Sequence, residues 1–210
     1  MYNDFDFLTL NEPYSYDNSI ISIPLNYTIA AANNSPQAAI IFKSTHNAQL
    51  LFCNEEVVVV QIEFHHQEAN LASTYCSPSK NMESNMDILK SPLLRFEELP
   101  FIILGDFNAK FRIWGQRDLD HRGSTLLSVC HLMDLTIENN PDSPPSYSSS
   151  RGDSCVDLLL TKNLSDNISM EVREEMLNSD HNMLYIEYSL HNTELHFTNK
   201  INIKTRLAEN

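Results

Sequence analysis

Ile102-Ile103-Leu104-Gly105-Asp106-Phe107-Asn108-Ala109-Lys110 is an apolar run that stops at a glycine, and a carboxylate and a carboxamide stand two residues apart at the stop. The run is predicted to be a strand over Phe101 to Gly105. Strand side chains alternate with period two, so Asp106 and Asn108 are delivered to one face of its tip. An acid beside a neutral donor and acceptor suits a site that holds a metal or water together with a phosphate oxygen. Ser179-Asp180-His181, before another apolar run, adds an acid and an imidazole. Together these signals point to metal-assisted hydrolysis of a phosphodiester.

At 210 residues and 42% hydrophobic, the chain has material for one sizeable core. One domain is expected over 1–190, followed by a polar, aperiodic and poorly ordered tail over 191–210. With 28 Asp+Glu against 14 Lys+Arg, the balance argues against a broad basic face that holds nucleic acid, although local charge matters more than the total. A nuclease is not excluded, because a divalent cation can neutralise both a carboxylate pocket and a phosphate. Cys53, Cys76, Cys130 and Cys155 are widely spaced and form no Cys-x-x-Cys pair. They read as buried thiols of a reducing compartment rather than a disulfide frame or zinc site. The acidic start lacks a signal-peptide pattern, and no apolar run is long enough to span a membrane. An intracellular protein, nuclear if its substrate is chromosomal, is expected.

Short apolar runs predict strands over Phe5 to Leu10, Ala38 to Lys43, Val57 to Phe64, Leu71 to Tyr75, Cys155 to Leu160 and Met183 to Leu190. The β-branched run Val57-Val58-Val59-Val60 suits a strand buried on both faces. Helices are predicted over Asn81 to Glu98, with Pro92 ending or kinking the first, and over Arg122 to Leu135. Pro141 to Asp153 is rich in proline and serine and reads as a long loop. Many strands with few helices give an α/β fold in which two sheets pack together and helices cover their outer faces.

The motifs occur in a recognisable order. Leu10-Asn11-Glu12-Pro13-Tyr14 closes the first strand, and Ser73-Thr74-Tyr75-Cys76-Ser77-Pro78 closes the fourth. Gly105-Asp106-Phe107-Asn108 follows, then Trp114-Gly115, Arg122-Gly123, Pro144-Pro145-Ser146-Tyr147, Ser154 to Asp157-Leu158, and Ser179-Asp180-His181. This series resembles the endonuclease/exonuclease/phosphatase superfamily. More narrowly, it is similar to the endonuclease domain of non-LTR retrotransposons of the R1 and Jockey type, over about Phe5 to Leu190.

The resemblance implies a four-layer α/β/β/α sandwich of two mixed sheets. It also implies roles. Glu12 matches the metal-binding glutamate, with Asp180 contributing near the metal. Tyr75 matches the tyrosine that contacts the scissile phosphate, and Asp106 the acid that positions or deprotonates the attacking water. Asn108 matches the amide that orients substrate and that acid. His181 matches the histidine that touches the phosphate, and Asp157 the acid that holds its other nitrogen. Apart from the resemblance, the charges of Arg122 and Lys110 suit contact with the DNA backbone, Arg122 as a substrate-binding residue, and suit a solvated surface about equally.

Physical chemistry supports the same roles. A hard dication takes carboxylate oxygens, so Glu12 and Asp180 would hold Mg2+ or Mn2+. Asp157 beside His181 would favour the charged imidazole and fix its orientation. Taken singly, each residue has a plainer reading: Glu12 as an exposed strand end, Tyr75 as a core tyrosine, Asp106, Asn108 and Asp180 as turn residues. Asp157 is harder to dismiss, because a carboxylate within an apolar strand is costly without a partner.

The family begins with an apolar strand that ends near an asparagine, then a helix, ahead of the strand that holds the glutamate. Here Met1 lies eleven residues before Glu12, and Asn3 and Asn11 do not occupy the equivalent place. The first strand and helix are therefore expected to be missing, with apolar surface exposed and a sheet edge left unpaired. Phe111 stands where related sequences often carry histidine. Weak or absent nuclease activity is expected on these grounds. Two other functions stay open: a non-catalytic or decayed remnant that acts through binding, and a phosphatase of small phosphoesters.

Overall fold

Val57, Val58, Val59 and Val60 split by parity between two hydrophobic clusters. Val57 and Val59 join Phe101, Ile103, Leu158 and Leu160 on one side of a sheet. Val58 and Val60 join Ile102, Leu104 and Leu159 on the other. A period of two with both faces apolar produces this, and it explains why these runs do not alternate with polar residues.

The computed structural model describes residues 5–17, 19–20, 23–64, 67–150, 152–164, 168–174, 179–190 and 193–201. Asn3 lies outside the described residues, as does 202–210. The chain opens with β1 (Phe7–Asn11), the short ladder of β2 (Ser15–Tyr16) and β3 (Ser19–Ile20), then β4 (Tyr27–Ala31) and β5 (Ala38–Lys43). Next come β6 (Asn47–Cys53), β7 (Val57–Phe64) and β8 (Gln67–Tyr75). Helix α1 (Met82–Arg95) leads into β9 (Phe101–Asp106), and α2 (His121–Met133) into β10 (Thr136–Ile137). A hairpin of β11 (Tyr147–Ser149) and β12 (Gly152–Ser154) precedes β13 (Asp157–Lys162), β14 (Ile168–Arg173), β15 (Met183–Leu190) and β16 (Thr193–Ile201).

Two six-stranded sheets form, in the orders β14-β15-β16-β1-β5-β4 and β10-β13-β9-β8-β7-β6. Both are mixed: β1 runs parallel to β16, and β8 parallel to β9, with antiparallel pairs elsewhere. Phe7, Ile40, Leu184 and Ile186 of the first sheet pack against Val58, Leu71, Ile102 and Leu159 of the second. Met82, Met86, Leu89 and Leu93 of α1 and Leu126, Cys130 and Met133 of α2 cover the outer face of the second sheet. The first sheet's outer face carries Leu8, Leu10, Ala39 and Ile41, packed by Phe5, Ile20 and Ile23. Among the described residues the layers are therefore helix, sheet, sheet. A helical layer on the outer face of the first sheet is not among the described residues.

Helix α1 starts where the Asn81 side chain accepts from the Glu83 N–H at 2.9 Å, an N-cap that satisfies a free amide. Pro92 neither stops nor displaces it. The helix runs on to Arg95 with Pro92 buried, and Phe96 N–H closes onto the Pro92 carbonyl. A proline this near a C-terminus forfeits a single ladder bond.

Two expectations are corrected. The chain beyond His191 is not all irregular tail, because Thr193–Ile201 is strand β16. It pairs in parallel with β1, from Phe7↔Phe197 to Asn11↔Ile201, and antiparallel with β15. Nor is β1 left with an unpaired edge, since β5 lies on its other side. Main-chain pairing satisfies backbone groups whatever the side chains, so a polar sequence serves.

Candidate active site

Three neighbouring strands of the second sheet end in one register row. Tyr75 of β8 pairs with Asp106 of β9, and Asp106 pairs with Asp157 of β13. Gly105 permits this approach, since a Cβ there would lie 2.1 Å from the Thr74 carbonyl oxygen. Strand parity puts Asp106 on the side of Ile102 and Leu104, and Asp157 on that of Leu159, so both carboxyls top the layer between the sheets. Glu12 caps β1 of the facing sheet, exposed, with its N–H on the Gln37 carbonyl at 2.8 Å.

Beyond Asp106 the chain folds back on itself. Asn108 donates its backbone N–H to Asp106 Oδ1 at 2.9 Å and its side-chain Nδ2 to Oδ2 at 2.8 Å. Glu12 and Asn108 both hold φ 47°, in the left-handed region that asparagine visits easily and glutamate seldom. Backbone strain of this kind clusters at functional sites.

His181 precedes β15 and sets Nδ1 2.9 Å from Asp157 Oδ2. Its own N–H donates to Ser179 Oγ at 3.1 Å. Tyr147 forms a β-bridge with His181 and meets its ring edge-on, centroids 4.8 Å apart. The Ser146 hydroxyl accepts the N–H groups of Val156 and Asp157, both at 3.1 Å, and its carbonyl accepts that of Asn182 at 2.7 Å. The Pro-Pro-Ser-Tyr stretch is thus a clamp on the Asp157–His181 pair. Sequence reasoning assigned Ser146 and Tyr147 no role, and the one available signal was a serine and a tyrosine directly after two prolines.

Burial is the largest influence on Asp106. With the neighbouring Asp157 charge it pushes the carboxyl up to about 8, against the opposing pull of His181. Burial alone would lower His181, but the charge and hydrogen bond of Asp157, with Asp106 and Glu12 behind, leave its pKa raised. Tyr75 is raised by burial and by hydrogen bonding and charge from Glu12, so it remains a phenol at neutral pH. These mutual influences place Glu12, Tyr75, Asp106, Asp157 and His181 in one electrostatic neighbourhood.

Asp180 and Arg122 stand differently. The Asp180 side chain is exposed, and its backbone carbonyl accepts from Ser148 N–H at 2.8 Å. Arg122 is half-buried, with its guanidinium on four main-chain carbonyls. Asn11 is buried beside Glu12. Its Nδ2 donates to the Thr74 carbonyl, and its Oδ1 has no hydrogen-bond partner among the described residues.

The donor set fits a divalent cation. Asp106, Asp157 and His181 offer ligand atoms within 4.8 Å of one another, and the buried Asp157 Oδ1 has no hydrogen-bond partner among the described residues. Two carboxyl groups beside one imidazole offer the oxygen and nitrogen donors that such a cation takes.

The family model described as endonuclease-reverse transcriptase matches residues 69–185, more than half of the chain. The chain belongs to that family. No curated protein matches it. Among solved structures, the endonuclease domain of TRAS1, a telomere-specific non-LTR retrotransposon, is similar with a TM-score of 0.78 at 25% identity, over 89% of this chain and 87% of that one. An endonuclease/exonuclease/phosphatase family protein from Leptotrichia buccalis gives 0.58 at 13%, over 88% of each chain. The human Nocturnin catalytic domain gives 0.51 at 13%, over 79% and 73%. The last two show the fold alone. It is the endonuclease/exonuclease/phosphatase fold, and the resemblance read from the motifs is met.

Proposed function

We propose that this chain is a metal-dependent DNA endonuclease that nicks one strand and leaves a 3′-hydroxyl fit for priming, as the endonuclease of a retrotransposon acting on nuclear DNA. The observation that carries the reading is the row Tyr75–Asp106–Asp157, met by Glu12 from the facing sheet and by His181 on Asp157. The family description and the likeness to the TRAS1 endonuclease domain support DNA as the substrate.

Each side chain has a task that its surroundings suit. Asp106, held by two bonds from Asn108 and pushed up to about 8, exchanges a proton close to neutral pH and is the base for the attacking water. Asp157 holds His181 Nδ1, which leaves Nε2 to donate to a phosphoryl oxygen that gains charge. Tyr75 keeps its proton and is a neutral hydrogen-bond donor to the phosphate. Glu12 is the residue that would hold Mg2+ or Mn2+, with the carboxylates of Asp106 and Asp157 behind it. The cation, when bound, supplies charge stabilisation for the phosphoryl oxygens.

The expectation of weak activity rested on a missing first strand and helix, a missing asparagine and Phe111 in place of histidine. The pairing of β1 with β16 and β5 answers the unpaired edge alone. The test is incubation with supercoiled plasmid and Mg2+ or Mn2+. Nicked circles whose ends a polymerase extends without phosphatase treatment are expected, and EDTA should abolish them. A folded protein that yields no nicked product with either cation would refute the reading.

A further inference from the structure

Arg122, on the first turn of α2, spends its guanidinium on the protein's own backbone. Nε donates to the Asn108 carbonyl at 2.7 Å and Nη1 to that of Lys80 at 2.7 Å. Nη2 donates to Cys76 at 3.0 Å and Phe107 at 3.1 Å. A guanidinium has five N–H donors, so four acceptors leave little for a phosphate. The acceptors belong to two chain segments only: the one leaving β8 after Tyr75, and the one leaving β9 after Asp106. Cys76 N–H also donates to the Asp106 carbonyl at 2.8 Å, so the two segments are tied to each other as well.

The start of α2 is built to bring Arg122 there. Asp120, its N-cap, accepts Gly123 N–H at 2.6 Å and Lys110 N–H at 3.1 Å, so one carboxylate links the helix to the chain beyond Asn108. At Gly123 a Cβ would lie 2.1 Å from the Lys110 carbonyl oxygen, a distance only glycine allows. Trp114, almost wholly buried, donates its indole N–H to the Ala109 carbonyl at 3.3 Å.

We propose that Arg122 is a positioning residue for the cleavage reaction rather than a ligand of the DNA backbone. It holds the left-handed Asn108 main chain, and through it the two bonds that Asn108 gives Asp106, while fixing the turn that carries Tyr75. Lysine cannot replace it, because an ammonium lacks the planar fork that reaches four carbonyls. The proposal rests on the nuclease reading of the site.

Two experiments on the full chain test it. In the first, Arg122→Lys is compared with the parent protein on duplex DNA across a salt series, with thermal melts to verify folding. A positioning role predicts a kcat lowered by about 10- to 100-fold, KM within about twofold, and an unchanged salt slope. It also predicts little further loss from Arg122→Lys in an Asn108→Ala background. A raised KM with kcat preserved and a salt slope reduced by about one would make Arg122 a phosphate ligand and overturn the proposal. The second needs no variant and no activity. The Arg122 Nε–H of the parent protein, followed by NMR, should exchange slowly with solvent, and fast exchange typical of a free guanidinium would also overturn it. Absence of cleavage by the parent protein would count against the nuclease reading and leave this second measurement to decide the role of Arg122.

Discussion

Asp157 and Asp106 stand opposite each other on antiparallel β13 and β9, and both are buried, at 0% and 2% exposure. Two carboxylates in that relation cannot both ionise without cost. The folded state therefore holds a proton on Asp106 up to about pH 8, where an unfolded chain releases it near its ordinary 3.8. The raised His181 works in the same sense: its stabilising proton is fully present below its ordinary 6.5 and is lost as pH rises through the folded value.

Both groups bind more protons folded than unfolded, so their contribution to stability declines as pH rises. For Asp106 the decline spans about pH 4 to 8 and for His181 it begins above about 6.5. In EDTA, the melting temperature should fall between pH 6 and 9, and Asp106→Asn should flatten that fall. Added Mg2+ should restore more stability at pH 9 than at pH 6. A flat profile for the parent protein would contradict this.

Asp157→Asn removes the charge that orients His181 and also relieves Asp106. Turnover should drop by about 100-fold or more, while stability at pH 8 stays level or increases, because a crowded buried charge has gone. Paired nicking assays and denaturant titrations would check this. A large loss of stability with activity kept would reverse the assignment.

Gly105→Ala puts a methyl group against the Thr74 backbone where β8 and β9 approach. Overpacking of this sort costs about 1–3 kcal/mol, and more if the strands cannot part. The urea midpoint should fall accordingly, and turnover should fall with it, because the same shift separates Tyr75 from Asp106. An unchanged midpoint would mean that the strands are not as close as described.

Ending the chain after Leu190 removes β16 from between β1 and β15. Backbone groups on both neighbours would lose their partners, and an open apolar edge invites aggregation. The shortened protein should melt well below the parent or precipitate. If it melts at the same temperature, β16 does not hold the sheet together.

The interior was the most legible part of the sequence. Val57–Phe64 and Phe101–Asp106 carry apolar residues on both faces, and their runs mark strands almost to the residue. Tyr27–Ala31, Asn47–Cys53 and Ile168–Arg173 were unread because they are edge strands. An edge strand exposes much of its surface, and its polar residues blur any alternation. Thr193–Ile201 was unread for another reason: backbone pairing with two partners places it, and its composition resembles that of a tail.

At the site, Asp106, Asn108, Asp157 and His181 were legible because motif order carried information that no single residue did. Arg122 was singled out as a candidate DNA contact, but its partners and those of Ser146 were not legible, since they are main-chain groups that no sequence pattern reports. Asp180 matched the motif, yet its carboxylate lies exposed, and its carbonyl accepts from Ser148 N–H.

Plasmid nicking in Mg2+ by the parent protein, Asp106→Ala and His181→Ala, each verified as folded, bears most directly on the site. Efficient nicking by the parent, with each variant slower by about 100-fold or more, is the predicted result. Equal rates from all three proteins would mean that the cleaving group lies elsewhere, and the row Tyr75–Asp106–Asp157 would then be a structural feature alone.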